Sequence, residues 1–313
     1  MSQTPQKATY RVRNWAQYDK ALIDRGSLTI WVDQASLDSW RHDGPPRWGA
    51  KFVYSDVAIQ LLLTLRAVFR LPLRATQGMA RSIFDLMGLD LDVPHYSTLC
   101  RRAATARIEL PKTSDGPVHL VLDSTGMKVY GEGEWKVRQH GYSKRRTWLK
   151  LHLGVDADSH EVQAAVVTEA GVSDGEAAPA VLDQVDREVT AVGGDGAYDQ
   201  AGVYEAVARR GATAVIPPRK GARIKVHGNT TGEPDPRDVN LRGVRRLGRK
   251  GWKRESGYHR RSLAETAMGR IKGLFGSALR SREWLRQAAE LGVRCRALNI
   301  MTHLGMPLTV KVV

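Results

Sequence analysis

The sequence is short of cysteine, of acid and of long apolar runs, and each shortage removes a class of protein. Two cysteines in 313 residues, Cys100 and Cys295, lie far apart in helix-like contexts. They make neither a disulfide framework nor a CxxC metal pair, and read as two buried thiols in a reducing compartment. The longest apolar stretch, VAIQLLLTLRAVF, is interrupted by Gln60 and Arg66 and is too short to span a bilayer. The opening MSQTPQKATYRVRNW lacks the apolar segment of a signal peptide. A soluble, cytoplasmic protein is the expectation. Acids are outnumbered, 33 Asp plus Glu against 48 Lys plus Arg, for a net charge of +15. Such a chain is drawn to polyanions, nucleic acid first and an anionic membrane surface second. With 42% hydrophobic residues it can build a real core, as two domains or one large one.

Residues 1–50 read as an irregular N-terminal arm carrying Trp15, Trp31, Trp40 and Trp48 and the turn-rich RHDGPPRWG. These tryptophans can stack on bases or, as is commoner, pack onto a domain. Residues 51–112 read as a helical domain. Ser55 is placed to N-cap SDVAIQLLLTLRAVFR, Gly88 ends RATQGMARSIFDLMG, and Ser97 is placed to N-cap a short third helix showing Arg101, Arg102 and Arg107. Three compact helices ending in a basic one fit a helix-turn-helix unit, with Arg101 and Arg102 towards DNA. Any small bundle with a solvated basic face fits the same pattern.

From residue 113 the pattern changes. VHLVLDST is a strand, TWLKLHLGVDADSHEVQAAVVTE two strands around a polar turn, and DGEAAPAVLDQVDREV an amphipathic helix. AVGGD is a strand, QAGVYEAVARRG a helix closed by Gly211, and ATAVIPP a strand. An antiparallel three-strand meander followed by two parallel crossovers is the order of a ribonuclease H-like mixed five-stranded α/β sheet with flanking helices. The stretch at about 217–256, rich in Gly, Pro and basic residues and holding Lys250 and Lys253, reads as a loop. It is either mobile and solvated or ordered by phosphates, and the basic charge favours phosphates. Two helices follow, from Ser256 to about Phe275 and from an N-cap at Ser281.

Most acids have local explanations. Asp183, Asp186 and Glu188 fit an exposed helix face, Asp156 and Asp158 a hairpin turn, and Asp199 the cap of the next helix. Asp123 and Asp195 differ: each ends an apolar strand, where a carboxylate loses hydration unless paired or bound to metal. In the expected sheet the first and fourth strands are neighbours, so these two acids would lie side by side. Their repulsion calls for a divalent cation. The third candidate is Glu265, the only acid between Ser256 and Arg282. Tyr258, Arg261, Glu265 and Lys272 fall near one helix face, although an exposed Arg–Glu pair alone would be worth little.

These residues resemble those of bacterial DDE transposases, and more narrowly the insertion-sequence-five family, whose signature is Tyr, two residues, Arg, three residues, Glu, six residues, Lys. Tyr258, Arg261, Glu265 and Lys272 match each spacing, and DST at Asp123 and DGAYD at Asp195 match the contexts of the two aspartates. The resemblance covers roughly residues 50–305. It implies a catalytic domain over 113–313 in which Asp123, Asp195 and Glu265 bind two Mg2+ ions, with Mn2+ as a substitute. It implies DNA cleavage at element ends and 3′-hydroxyl strand transfer into target DNA. Tyr258, Arg261 and Lys272 would contact DNA near the cut, and the helical domain would recognise terminal inverted repeats. The partners implied are double-stranded DNA and further copies of the chain, a homodimer or more on DNA, at the bacterial nucleoid. Two alternatives stand beside this reading: a DNA-binding regulator that no longer cuts, and a nuclease of the same fold that does not join strands.

Overall fold

The computed structural model describes residues 9–44, 53–129, 148–226 and 235–312. Trp48, most of the RHDGPPRWG turn and the HGNTTGEP part of the basic stretch lie outside them.

The N-terminal arm is more regular than its sequence suggests. Strand β1 (Thr9–Val12) leads into helices α1 (Trp15–Asp24), α2 (Leu28–Trp31) and α3 (Gln34–Asp38). Trp31 and Trp40 are buried, and Trp40 Nε1 donates to the Asp92 carbonyl at 2.8 Å, while Trp15 is exposed. Two of the arm's tryptophans are thus core residues, which holds the arm on the domain.

Helices α4 (Asp56–Val68), α5 (Leu73–Met87) and α6 (Tyr96–Arg102) follow. Ser55 caps α4 by accepting from the Ala58 amide, and Gly88 ends α5 in the left-handed conformation a glycine enters without strain. The cap of α6 is His95, whose Nδ1 accepts from the Ser97 amide, in place of the expected Ser97. Pro94 keeps the chain extended up to that point, so the helix starts one turn-residue earlier than the serine.

The sheet is built on β2 (Val118–Lys128), flanked antiparallel by β3 (Trp148–Asp156), which pairs with β4 (Val162–Glu169). After helix α7 (Asp174–Asp183), strand β5 (Val189–Gly193) returns parallel to β2; after α8 (Ala201–Arg209), β6 (Thr213–Val215) adds parallel to β5. The order β4-β3-β2-β5-β6 is the ribonuclease H-like arrangement. Alternation along β2 assigns its two faces. Leu120 and Leu122 enter a core with Val181 and Leu182 of α7 and Val203 and Val207 of α8. Val121 and Met127 enter a second core that also takes side chains from α2 through α6.

The second half of the basic stretch, from Pro236, is a helix rather than a loop. Helix α9 (Pro236–Glu255) starts at an Asp235 cap, with Pro236 suited to the first turn, and kinks at Gly248, where φ is 69°. Its Leu241 and Trp252 are buried and Asp238 accepts from the Lys225 and Val226 amides. A few buried anchors outweigh the polar composition, which is why composition misjudged it. A 3-10 turn at Tyr258–Arg261 precedes α10 (Ser262–Phe275), so the helix begins six residues later than Ser256. Helix α11 (Trp284–Leu304) begins after Glu283, not Ser281, because the Ser281 amide is held by the Glu290 carboxylate. Strand β7 (Thr309–Val312) pairs antiparallel with β1. No helix among the described residues is long and apolar enough to cross a membrane. Cys295 is buried, and burial pushes its thiol up to about 12, whereas Cys100 is only partly covered, short of the burial expected.

Glu161 ties the helical segment, the sheet and α11 together. Its carboxylate accepts from Thr113 N (2.8 Å), Thr113 Oγ1 (2.6 Å), Ser114 Oγ (3.0 Å) and Gln163 Nε2 (3.0 Å), and contacts His303 Nε2 (2.8 Å). Burial alone would raise its pKa, but the Thr113 and Ser114 hydrogen bonds and His303 hold it at about 2. A depressed carboxylate contributes stability above its unfolded pKa and loses it as pH falls through the folded one. Glu161→Gln should cost about 1–3 kcal/mol at pH 7. In urea unfolding the gap to the wild type should close as pH falls from the ordinary 4.5 towards about 2. A pH-independent gap would contradict this assignment.

Candidate active site

The register of β2 against β5 decides the arrangement of the acids. Val121 lies opposite Gly193, the last pair of the parallel ladder, so Asp123 and Asp195, each two residues further on, stand side by side just past the end of β5. Asp123 does not end its strand as the sequence suggested: β2 continues to Lys128 along β3, and Asp123 pairs with Leu153. Gly194 lets the chain turn there: a Cβ would stand 2.8 Å from the Tyr198 ring. Asp195 Oδ1 accepts from the Ala197 amide at 2.8 Å, fixing the turn, and Tyr198 is buried beneath it. Asp123 shares a face with Val121, the face covered by Ala264, Ala267 and Met268 of α10. Burial raises the Asp123 pKa. The Ser124 amide and Arg261 oppose the rise, while Asp195 and Glu265 add to it.

Glu265, in the first turn of α10, meets this pair through Arg261. The guanidinium is bonded to Glu265, and its Nη1 lies 3.9 Å from Asp123 Oδ2. Burial would lower the Arg261 pKa, but Tyr258, Glu265, Asp123 and Asp195 together raise it. One cation therefore serves three carboxylates. Tyr258 packs against Trp252 of α9 with centroids 5.8 Å apart, and Lys253 Nζ stands 4.8 Å over its ring. Burial raises the Tyr258 pKa, Arg261 opposes, and Asp195 and Glu265 reinforce it. Lys272 is half-buried in the last turn of α10, and Lys250 is exposed on α9.

Arg101 is exposed, but Arg102 is not a DNA-facing residue. It is 6% exposed, paired with Asp56 and bonded to the Tyr54 carbonyl at 2.8 Å. Neighbours on a helix differ by about 100°, so one arginine of the pair faces out and the other in. The DNA-facing expectation for Arg102 is corrected accordingly.

Several residues beside the site gave no distinctive sequence signal. On the other face of β2, Ser124 Oγ donates to Asp174 Oδ1 at 2.7 Å, and Lys150 Nζ reaches the same oxygen at 3.3 Å. His152, paired with Ser124 across the sheet, is 3.7 Å from it. Asp174 looks like an ordinary first-turn helix acid, and only the strand register brings it here. Asp199 does not cap α8, as Gln200 takes that position. It is buried instead, gripped by Arg237 through Nε (2.7 Å) and Nη2 (3.0 Å), the Arg219 amide (2.8 Å) and Tyr204 Oη (3.1 Å). Arg219 also donates to the Gly196 and Ala197 carbonyls. This clasp fixes the Asp195 turn to α9.

Among the described residues no three His, Cys, Asp or Glu side chains converge closely enough to hold a metal ion as they stand. The donors nonetheless suit a hard divalent cation. All are carboxylates, burial raises the pKa of Asp123 so that a nearby cation favours its charged form, and a guanidinium already lies between Asp123 and Glu265 as a stand-in positive charge. Two family models, both described as transposase DDE domain, match the chain, over residues 23–132 and 114–300. The second alone covers well over half of the chain and includes all three acids.

Removing Arg237 would leave Asp199 buried with a net charge and only its neutral hydrogen bonds. Arg237→Ala should destabilise the protein by about 3 kcal/mol. Adding Asp199→Asn should recover part of that loss, because the uncompensated charge is gone. Urea unfolding of the two variants measures both, and a double variant no more stable than the single one would count against the clasp.

Proposed function

The chain belongs to the DDE transposases, and from that premise we propose that it cuts double-stranded DNA at the ends of an insertion sequence and joins the freed 3′-hydroxyls to target DNA. The reading takes Asp123, Asp195 and Glu265 as its catalytic carboxylates and the Tyr258, Arg261, Glu265, Lys272 spacing as that of the insertion-sequence-five family. The observation that carries it is the parallel β2–β5 register, which ends two residues before both Asp123 and Asp195, with Arg261 spanning from Asp123 to Glu265.

Asp123, Asp195 and Glu265 would hold two Mg2+ ions, or Mn2+ in their place. When bound, such a pair activates an attacking oxygen and stabilises the leaving one in an in-line displacement. The remaining work falls to the chain. Arg261 keeps the acids compatible with one another in the free protein. With DNA present its planar donors are suited to a phosphate oxygen beside the cut. Tyr258, held by Trp252 and Lys253, offers a hydroxyl and a ring edge to the same strand. Lys272, Lys253, Lys250 and Arg101 supply further positive charge for the backbone. We assign residues 51–112 to end recognition and 113–313 to catalysis. Joining two ends requires a homodimer or larger assembly on DNA, and the place of work is the bacterial nucleoid.

Asp123→Asn, Asp195→Asn and Glu265→Gln should each lower Mg2+-dependent cleavage of an end-bearing duplex by about a thousandfold or more. That corresponds to the ~4 kcal/mol expected of metal-assisted charge stabilisation. DNA binding should remain near that of the wild type. Gel analysis of cleavage and strand-transfer products reads both steps. Normal cleavage by any one variant removes that acid from the site. Binding without cleavage by the wild type identifies a silent regulator, and cleavage without joining identifies a simple nuclease.

A further inference from the structure

A second basic feature lies away from the carboxylates. A groove of about 1090 Å³ opens between α5, α6 and the turn joining α10 to α11. It is lined by six arginines, Arg66, Arg70, Arg74, Arg101, Arg280 and Arg282, and, among the described residues, by no acid. They come from four separate parts of the chain, so no local charge run shows the cluster.

Two of them build the walls. Arg70 has a left-handed backbone (φ 53°), and its guanidinium donates to the Leu274 carbonyl at 2.7 Å and the Gly273 carbonyl at 3.0 Å, at the end of α10. Arg280 returns the contact, donating to the Arg70 carbonyl at 2.7 Å. These bonds use neutral carbonyls and leave both positive charges uncompensated. Arg74 stands 4.5 Å over the Tyr96 ring. Arg66 has its Nε buried with no hydrogen-bond partner, and burial lowers its pKa. The nearest acid, Glu290, is committed to Arg294 and to the Arg280 and Ser281 amides. Arginines gathered this closely beside an unused buried donor make a strongly positive surface that an anion would stabilise.

We propose that this groove docks the phosphate backbone of double-stranded DNA. The inference rests on DNA being the substrate, and adds a composite site shared by the helical segment and the C-terminal turn. The groove exceeds the roughly 300–1,000 Å³ of small-molecule sites. It also lacks a stacking platform for single strands, because the one aromatic on its wall, Tyr96, is covered by Arg74. Duplex DNA presents about one charge per 1.7 Å, which suits a row of guanidinium groups. Helix α10 links groove to site. Glu265 is in its first turn, and the carbonyls held by Arg70 lie about 13 Å along it at ~1.5 Å per residue.

The test is fluorescence anisotropy of the full chain on a 30-base-pair duplex, in EDTA, across a series of NaCl concentrations. Arg74→Ala/Arg101→Ala should bind about tenfold or more weakly near physiological salt, with a log K against log [salt] slope shallower by about 2. Arg209→Ala, an exposed arginine on α8 across the sheet, should leave the slope unchanged. A melting curve for each variant verifies the fold. Phenylglyoxal modification of the wild type gives an independent reading: duplex DNA should shield Arg74 and Arg101 and leave Arg209 reactive. A wild-type slope in the folded double variant, or unshielded Arg74 and Arg101, overturns the groove. Because the assay excludes metal, that result leaves the cleavage behaviour of the acid variants to be judged separately.

Discussion

The parallel pairing of β2 with β5 is the constraint from which the rest of the site follows. It sets Asp123, within β2, beside Asp195, just beyond β5, through backbone hydrogen bonds that neither side chain influences. The apolar residues before them, from Val118 to Leu122 and from Val189 to Val192, anchor both strands between two cores. Burying such side chains contributes roughly 1.5–3 kcal/mol each, and so offsets the cost of crowding two carboxylates together. Alternation on β2 then separates the chemistry by face. Asp123 points to the α10 side, towards Glu265, and Ser124 to the α7 side, towards Asp174.

Charge balance explains the form of the site. Three carboxylates gathered at a half-buried edge repel one another, and Arg261 relieves this by bonding Glu265 while approaching Asp123. The same guanidinium occupies space that a divalent cation would need. On the proposed reading Glu265, a half-exposed side chain on a helix, is the member that would turn from arginine to metal, while Asp123 is held in β2 and Asp195 by its bond to the Ala197 amide. The basic surroundings, from Tyr258 with Lys253 above it to the α9 helix clasped through Asp199 and Arg237, are suited to a polyanion approaching that edge.

Much of this was legible in the sequence, for identifiable reasons. Aspartates after apolar runs are conspicuous because burial there is costly, and the element order dictated which strands would be neighbours; that β2 runs on past Asp123 to Lys128 was not visible, because the continuation is held by pairing with β3. The spacing of Tyr258, Arg261 and Glu265 does bring the three into contact, though Tyr258 and Arg261 belong to a 3-10 turn rather than to α10 itself. What failed to show depended on tertiary partners. Helix α9 is polar along its length, and its stability comes from Trp252, Asp238 and the Arg237–Asp199 pair, none of which stands out locally. Arg101 and Arg102 are chemically alike in sequence, and only the packing of α6 separates them. Asp174 and the arginine groove arise from residues tens to hundreds of positions apart, a relation no local pattern encodes.

The most direct test of the account is anomalous scattering from crystals of the wild-type protein soaked in Mn2+. The account predicts Mn2+ bound by Asp123 and Asp195, with Glu265 turned from Arg261 to join them. Saturating Mn2+ with no peak at these carboxylates, or a peak held by other residues, would contradict the claim that the three acids form one metal site.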